Sequence, residues 1–141
     1  MNSLLKAGGQ KGELRYEGKA KRLYATDNPE ILWLEYKDDA TAQNGKKREV
    51  IPGKGELNHK ISQVFFRRLS ANGINHHYLG EAGPKDQWVK AVAIVPLEVV
   101  YRPVAAGSLC RRLGLAEGTV LSPPVLEWYF KNDELGDPLV Q

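Results

Sequence analysis

Three cationic side chains surround a glycine near the start of the chain, in the stretch YEGKAKRLY at residues 16–24. A glycine lets the backbone approach a ligand closely, and lysines are compact, mobile charges that suit phosphate oxygens. Tyr16, Leu23 and Tyr24 could form a wall for a flat base. The stretch is consistent with a phosphate-covering hairpin in a nucleotide site. It lacks the P-loop pattern, however, and an ordinary surface hairpin with solvated lysines is the alternative.

A second candidate for anion binding lies in EVVYRPVAAGSLCRRLG, residues 98–114. On a strand, Glu98, Val100 and Arg102 would face the same way, with Arg102 at the strand end. Gly107 permits close backbone approach, and Ser108 is suited to cap a short helix whose first amides carry partial positive charge. This combination suits a phosphomonoester, whereas a routine helix cap beside a solvated arginine is the alternative.

The polar stretch YKDDATAQNGKK, residues 36–47, contains adjacent carboxylates at Asp38 and Asp39 and ends near Asn44–Gly45. It is either a surface loop that turns at Asn44–Gly45 or a binding loop in which Thr41 and backbone amides hold an anion.

Two lysines stand out further along the chain. Lys90 interrupts an apolar run, so if it is buried it needs an anionic partner such as a phosphate or Glu98. Lys131 lies on the polar face of a predicted strand, and the carboxylates of Asp133 and Asp137 follow it.

Composition excludes several classes of function. The net charge of +3, from 20 basic and 17 acidic residues, is too small by itself to indicate a nucleic-acid partner. The apolar run at residues 91–97 is too short to span a bilayer. Cys110 has no partner for a disulfide, and His59, His76 and His77 lack the spacing of metal ligands. We therefore expect a soluble cytoplasmic protein without a nucleic-acid or membrane partner.

Periodicity predicts the elements that position these residues. Short strands at Leu14–Glu17, Lys21–Ala25 and Ile31–Tyr36 form an antiparallel meander. The segment 53–73 is a helix, because apolar residues recur at spacings of three and four. The predicted apolar stripe consists of Leu57, Ile61, Val64, Phe65 and Leu69, whereas His59, Lys60, Arg67 and Arg68 should be solvated.

Strands are expected to resume near His77–Gly80, Trp88–Val95 and Leu97–Arg102. A short helix follows at Ser108–Leu113, and then a last strand. In that strand Leu126, Trp128 and Phe130 share one face, and Glu127, Tyr129 and Lys131 share the other. Strands, a helix and more strands indicate an α+β fold. We predict a flexible leader at residues 1–12, a nucleotide-binding lobe at 13–95, and the start of a second, substrate-binding lobe at 96–141.

Five blocks in this order resemble the phosphoribosylaminoimidazole-succinocarboxamide synthase (SAICAR synthetase) family of purine biosynthesis. They are YEGKAKRLY, LEYKDDATAQNGKK, GKGELNHKIS, VPLEVVYRPVAAGSLCRRLG and EWYFKNDELGDPLV. The resemblance covers the chain from about Leu14 to its last residue. It implies a fold related to the ATP-grasp and kinase arrangements. It also implies an ATP- and Mg²⁺-dependent ligase that joins L-aspartate to carboxyaminoimidazole ribonucleotide, giving SAICAR, ADP and phosphate.

The resemblance also implies roles for individual residues. The nucleotide-binding set covers the ATP phosphates, an apolar wall for adenine and the region near the base. It consists of Gly18, Lys19, Ala20, Lys21, Leu23, Leu32, Lys90 and Glu98. For the ribonucleotide, the substrate-binding set is Arg102, Gly107, Ser108 and Asn44. The expected catalytic residues are Asp39, Lys131 and Asp137, and no metal ligand is assigned.

Members of the family usually continue well beyond GDPLV, so we expect a truncated or split enzyme with weak or absent turnover alone. The expected partners are small molecules, with a homo-oligomer or a missing C-terminal half as further possibilities. A non-catalytic nucleotide-binding fragment or module is the alternative, because it would share every residue named above.

Overall fold

The computed structural model describes residues 8–42 and 47–141. The chain divides into two compact units, one up to Val92 and one from Ala93 onward, close to the predicted lobe boundary after residue 95. No helix in the described part of the chain is both long enough and apolar enough to cross a membrane.

The described residues of the first unit form one helix, a five-stranded antiparallel sheet and a separate two-stranded ribbon. In chain order these elements are β1 (Leu14–Glu17), β2 (Lys21–Ala25), β3 (Ile31–Tyr36), β4 (Asp39–Ala42), β5 (Lys47–Val50), α1 (Lys54–Ala71), β6 (Tyr78–Gly83) and β7 (Asp86–Lys90). The sheet has the order β1-β2-β3-β7-β6, and β4 pairs with β5. The second unit contains β8 (Leu97–Val104), α2 (Ser108–Leu113), β9 (Val120–Phe130) and a 3₁₀ turn (Asp133–Leu135).

The α+β prediction is confirmed, and the first three strands have the predicted bounds. Two local predictions are wrong. Asp39–Ala42 and Lys47–Val50 pair as strands instead of forming a loop, while the Asn44–Gly45 turn lies outside the described residues. The strand predicted to reach residue 95 ends at Lys90. The next amide, that of Ala91, still donates to the Glu30 carbonyl, and beyond it the described residues provide no further ladder partner.

The core of the first unit lies on one face of the five-stranded sheet, which we call the inner face. Its buried apolar side chains are Leu34, Tyr36 and Val89, and Leu23 and Leu32 pack against them. Helix α1 packs against the part of this face formed by β3 and β7, with the His59 ring stacked on Tyr36 at a centroid distance of 5.8 Å.

The orientation of α1 differs from the prediction. His59, expected to be solvated, is 1% exposed, and its Nδ1 lies 3.0 Å from the Pro84 carbonyl oxygen. The side chain of Gln63 is buried beside it, with Nε2 donating to Glu81 at 3.1 Å. Most of the predicted apolar stripe instead faces outward, with Leu57, Ile61, Val64 and Phe65 exposed.

Gly55 explains why this polar face of α1 turns toward the sheet. A Cβ at Gly55 would lie 2.5 Å from the carbonyl oxygen of Tyr36, so a glycine is needed for this close approach. The Gly55 amide donates to Asp38 Oδ1 at 2.7 Å, which satisfies an amide of the first helical turn that has no partner within the helix.

The opposite face of the sheet is covered in part by the described end of the predicted leader. The amide of Gly12 donates to the Ala25 carbonyl at 2.9 Å, and Trp88 Nε1 donates to the Gly9 carbonyl at 3.3 Å. Residues 8–12 are therefore attached to the sheet, which composition did not predict.

A covered lysine ties the β1–β2 hairpin to the end of β3. Lys37 Nζ lies 2.6 Å from Glu17 Oε1 and 2.7 Å from Asp39 Oδ2, and the Lys37 amide donates to the Ala20 carbonyl at 2.8 Å. Lys37 is only 4% exposed, although it lies near the surface, because these partners cover it. Hydrogen bonds with Asp39 and then Glu17 raise its pKa.

In the second unit β8 and β9 form a long antiparallel ribbon with the predicted division of faces. Val99 lies opposite Trp128 and Leu97 opposite Phe130, which places these apolar side chains on one face. Glu98 lies opposite Tyr129, on the other face, which also carries Arg102.

We predict that Gly55→Ala lowers the free energy of unfolding by about 2 kcal/mol, because the added methyl group must push α1 away from the sheet. In an exposed helix interior the same change raises stability by up to about 1 kcal/mol, so the sign is diagnostic. Urea denaturation measures it, with Arg67→Ala at an exposed position of α1 as the control. A stabilised Gly55→Ala variant would refute this packing.

We predict that Lys37→Met lowers the midpoint of thermal unfolding by about 5 °C, because it removes the ammonium group that the carboxylates of Glu17 and Asp39 share. Lys60→Met is the matched control, since it removes an exposed pair with Glu56 on α1 and should change the midpoint little. Calorimetry of both variants checks the prediction, and equal shifts would contradict it.

Candidate functional site

The inner face of the sheet brings together three residues of the predicted nucleotide site. Leu23 lies opposite Leu34 in the pairing of β2 with β3, and Leu32 lies opposite Val89 in the pairing of β3 with β7. Lys21 lies opposite Tyr36 in the same register. Directly opposed residues of an antiparallel pair share a face, so Lys21 stands beside an apolar surface formed by Leu23, Leu32 and their neighbours.

The ammonium group of Lys21 has surroundings that differ from those of the paired lysines and arginines of this unit. It lies over the Tyr36 ring, 5.2 Å from the centroid, and no carboxylate among the described residues pairs with it. Although the residue as a whole is exposed, burial of its ammonium end lowers its pKa. By contrast, carboxylates pair with Lys11, Arg22, Lys37 and Lys85.

The β1–β2 hairpin turns at the predicted residues. The Gly18 amide donates to the Lys21 carbonyl at 2.9 Å, and Lys19 and Ala20 form the bend between them. Gly18 does not adopt a positive φ, so backbone strain is not the reason for a glycine here. A Cβ would instead lie 3.2 Å from the Tyr16 ring, so the glycine makes room for that ring.

Lys90 belongs to a different surface of the first unit. Its register partner is Ile31, and the alternation of β3 and β7 places both on the face opposite Leu32 and Val89. Lys90 and Ile31 line a shallow cavity together with Leu79. The side chain of Lys90 is therefore not brought onto the face that carries Lys21.

The remaining predicted residues of the first unit are Asp39 and Asn44. Asp39 forms the ion pair with Lys37 described above, directly beside the hairpin. Asn44 lies outside the described residues.

The second unit assembles a compact cluster on the polar face of its ribbon. Arg102 Nε donates to Glu127 Oε2 at 2.5 Å, and Arg112 Nη2 donates to Glu127 Oε1. Arg112 Nη1 lies 3.3 Å from Ser108 Oγ and 3.0 Å from the Tyr129 hydroxyl. The predicted pair Arg102 and Ser108 is therefore linked through Arg112 and Glu127, and all five side chains lie in one network.

The start of α2 corrects the predicted helix cap. Gly107 is the capping residue, with φ 58° and ψ −125°. Ser108 is the first residue of the helix, and no side chain of the described residues caps the helix start. A glycine is required because L residues rarely adopt this backbone conformation. Ser108 Oγ consequently remains available to Arg112, one helical turn later.

Sequence reasoning missed Arg112 and the burial of Glu127. The available signal was the spacing of four residues between Ser108 and Arg112, which places both on one side of a helix. Which of Arg111 and Arg112 faces the ribbon depends on how α2 packs, and this the sequence did not reveal.

The predicted catalytic residues of the second unit, Lys131 and Asp137, are in direct contact. Lys131 Nζ donates to Asp137 Oδ2 at 2.7 Å, and Asp137 Oδ1 accepts the Asn132 amide at 2.8 Å. Asp137 has a φ of 49°, which is uncommon for a non-glycine residue. Glu98 is exposed in the ribbon opposite Tyr129.

Within residues 8–42 and 47–141, no three His, Cys, Asp or Glu side chains approach closely enough to hold a metal ion. The described carboxylates instead pair mainly with lysines and arginines.

Comparisons with known proteins agree on one family. The family model described as SAICAR synthetase matches residues 14–141. Phosphoribosylaminoimidazole-succinocarboxamide synthases of Bacillus cereus (strain B4264) and Bacillus anthracis (strain CDC 684 / NRRL 3495) are each 56% identical over 131 residues. Each alignment covers 93% of this chain and 55% of the relative.

Solved structures give the same result. A SAICAR synthetase (Type-2) in complex with ADP is 47% identical, with a TM-score of 0.85, covering 92% of this chain and 55% of that one. The phosphoribosylaminoimidazole-succinocarboxamide synthase of Ehrlichia chaffeensis is 43% identical, with a TM-score of 0.86, covering 92% and 54%. The chain thus spans about half the length of these relatives, and it belongs to the SAICAR synthetase family.

Proposed function

We propose that this chain supplies the nucleotide-binding and phosphate-binding parts of an ATP-dependent carbon–nitrogen ligase. The reaction joins the amine of L-aspartate to the carboxylate of carboxyaminoimidazole ribonucleotide, forming SAICAR, ADP and phosphate. This is the activity implied by the names of relatives that are 56% identical.

The chemistry explains why such a site needs cations. A carboxylate is a poor electrophile, because its charge repels an amine and oxide is a very poor leaving group. Transfer of the γ-phosphoryl group of ATP to a carboxylate oxygen releases ADP and gives an acyl phosphate. The amine then attacks the acyl carbon, phosphate leaves, and the amine nitrogen loses a proton. Positioning and neutralisation of phosphate charge are the main requirements.

The observation that carries the nucleotide part of the proposal is Lys21. It places a cation, with no carboxylate partner among the described residues, beside the apolar side chains of Leu23 and Leu32. An ammonium group can neutralise phosphate oxygens while an apolar wall contacts the adenine ring. A relative that is 47% identical was solved in complex with ADP, which supports nucleotide binding by this chain.

In the second unit we propose that Arg102, Gly107 and Ser108 bind the 5′-phosphate of the ribonucleotide. The guanidinium group of Arg102 is held by Glu127 and is therefore oriented before a ligand arrives. Gly107 has open space where a side chain would lie, so a phosphate could approach its backbone.

Lys131, Asp137 and Asp39 remain proposed catalytic residues. The ammonium of Lys131 is held by Asp137, and it would neutralise charge that develops on phosphoryl oxygens. Asp39 sits beside the hairpin, and we propose that it orients the reacting groups there. We also propose that Glu98 and Lys90 are nucleotide-binding residues near the base.

Mg²⁺ is the expected companion of ATP. The described residues do not form a group of three candidate ligands, so they do not fit a metal site by themselves and no step is assigned to a metal ion here. A cytoplasmic location remains a proposal that rests on the small-molecule substrates and on the lack of a disulfide partner for Cys110.

We predict that Lys21→Met weakens ADP binding by about tenfold, because it removes a charge-assisted contact to phosphate. Lys85→Met is the matched control, since it removes the same charge from a lysine that already pairs with Glu35. Isothermal titration calorimetry with ADP checks this, and equal losses in both variants would contradict the assignment of Lys21.

The affinity for ADP should also fall with alkaline pH. Because burial lowers the Lys21 pKa, its charged form is lost at a lower pH than for an ordinary lysine. As the pH is raised, we expect the affinity for ADP to begin to fall before pH 10.5, the reference pKa of lysine, is reached. The Lys21→Met variant should show a flatter dependence of affinity on pH. Parallel profiles for the two proteins would be evidence against this cause.

The proposed reaction is tested by incubating the chain with ATP, Mg²⁺, aspartate and carboxyaminoimidazole ribonucleotide, and measuring SAICAR by mass spectrometry. Product formation supports the ligase. Binding of ADP without product, in a chain shown to be folded, supports the alternative of a non-catalytic nucleotide-binding module. A folded chain that binds neither ADP nor the ribonucleotide would refute the proposal.

A further inference from the structure

A buried carboxylate in the second unit holds two arginines together. Glu127 is 4% exposed, and each of its oxygens accepts a hydrogen bond from a different guanidinium group, that of Arg102 or that of Arg112. The Tyr129 hydroxyl donates to Glu127 Oε2 at 3.0 Å. Both guanidinium groups are therefore fixed by one acceptor.

The charges within the cluster itself do not balance. One arginine would neutralise Glu127, so the second leaves a surplus of one positive charge. Each guanidinium carries five N–H donors, and Glu127 engages only one nitrogen of each. The side chains of Arg102 and Arg112 are 19% and 33% exposed, so their remaining donors can be reached from solvent.

The neighbouring hydroxyl groups belong to the same hydrogen-bonded network. Ser108 Oγ accepts from Arg112 and also hydrogen-bonds the Tyr129 hydroxyl, which holds the Ser108 side chain at the cluster. Burial by itself would raise the pKa of Tyr129, but hydrogen bonds with Ser108, Arg112 and Arg102 lower it. The cluster thus favours negative charge.

We propose that Arg112 is a second phosphate-binding arginine that acts with Arg102 and Ser108. We further propose that Glu127 is the positioning residue that orients both guanidinium groups. The ligand is a phosphomonoester dianion, because two guanidinium groups with one counter-ion offer convergent donors and net positive charge to three terminal oxygens. The choice of a sugar phosphate as this ligand rests on the proposed function.

Arg111 provides a matched control for Arg112. It is the adjacent residue on α2 with the same charge, and no hydrogen bond or ion pair involves its side chain among the described residues. Arg111→Ala and Arg112→Ala therefore change net charge equally and differ only in whether the cluster is disrupted.

The experiment titrates ribose 5-phosphate into the full 141-residue chain and follows binding by ³¹P NMR, with ribose as the control for the sugar. We expect Arg112→Ala to weaken binding about tenfold, Arg112→Lys to recover part of the loss, and Arg111→Ala to change binding less than twofold. Equal effects of the two alanine variants would overturn the role of Arg112. So would a wild-type chain that does not bind ribose 5-phosphate.

The role of Glu127 is tested with Glu127→Gln and Glu127→Asp, and with ADP titrated in parallel. A positioning role predicts weaker binding of ribose 5-phosphate for Glu127→Gln, partial rescue by Glu127→Asp, and unchanged ADP affinity in both. Unchanged sugar-phosphate affinity in Glu127→Gln would overturn this role. If the glutamine variant unfolds, Glu127→Asp decides, because a loss of ADP binding together with sugar-phosphate binding indicates a structural role.

These measurements also separate the inference from the proposed function. A wild-type chain that does not bind ADP would count against the nucleotide proposal and leave the comparison of Arg111→Ala with Arg112→Ala intact. If the wild-type chain binds ADP but Arg111→Ala and Arg112→Ala weaken ribose 5-phosphate binding equally, the role of Arg112 is refuted and the nucleotide proposal stands.

Discussion

The first unit depends on the ion-pair cluster around Lys37. A covered ammonium group needs anionic partners, and here the partners are Glu17 at the end of β1 and Asp39 at the start of β4. Three separate segments therefore meet at a single charge. The Lys37 amide also donates to the Ala20 carbonyl in the hairpin bend. These contacts together fix the bend of the β1–β2 hairpin against the end of β3.

The same physical rule distinguishes Lys21 from the paired cations of the first unit. Carboxylates hold Lys11, Arg22 and Lys37 in the first unit, where they stabilise the fold. In the part of the chain that the structure describes, the ammonium group of Lys21 lies beside an aromatic ring and pairs with no carboxylate. A cation that is ordered but not neutralised is suited to an anionic ligand, because little rearrangement is needed on binding.

In the second unit, a carboxylate orders cations without neutralising all of them. Glu127 is shared by Arg102 and Arg112, so it orders two cations while neutralising only one. Such an arrangement keeps guanidinium groups in place without cancelling the field that attracts a phosphate. Net charge alone could not show this, since the whole chain carries only +3.

Several features followed from the sequence because they depend on short-range physics. Alternation along β9 predicted which of its side chains share a face, and turn residues predicted the three strands of the meander. The ordered motifs indicated the family. Candidate residues such as Lys21, Arg102 and Ser108 were also visible, because their types suit phosphate chemistry.

Tertiary structure alone decided how these elements face one another. The apolar spacing in α1 predicted a helix, but close approach at Gly55 turned the His59 face toward the sheet and left Leu57 and Phe65 exposed. Strand pairing placed Lys90 on the face opposite Leu32, and the packing of α2 selected Arg112 over Arg111 as the partner of Glu127. Helix periodicity and residue type are local properties, whereas the direction in which a face points depends on contacts between residues far apart in the chain.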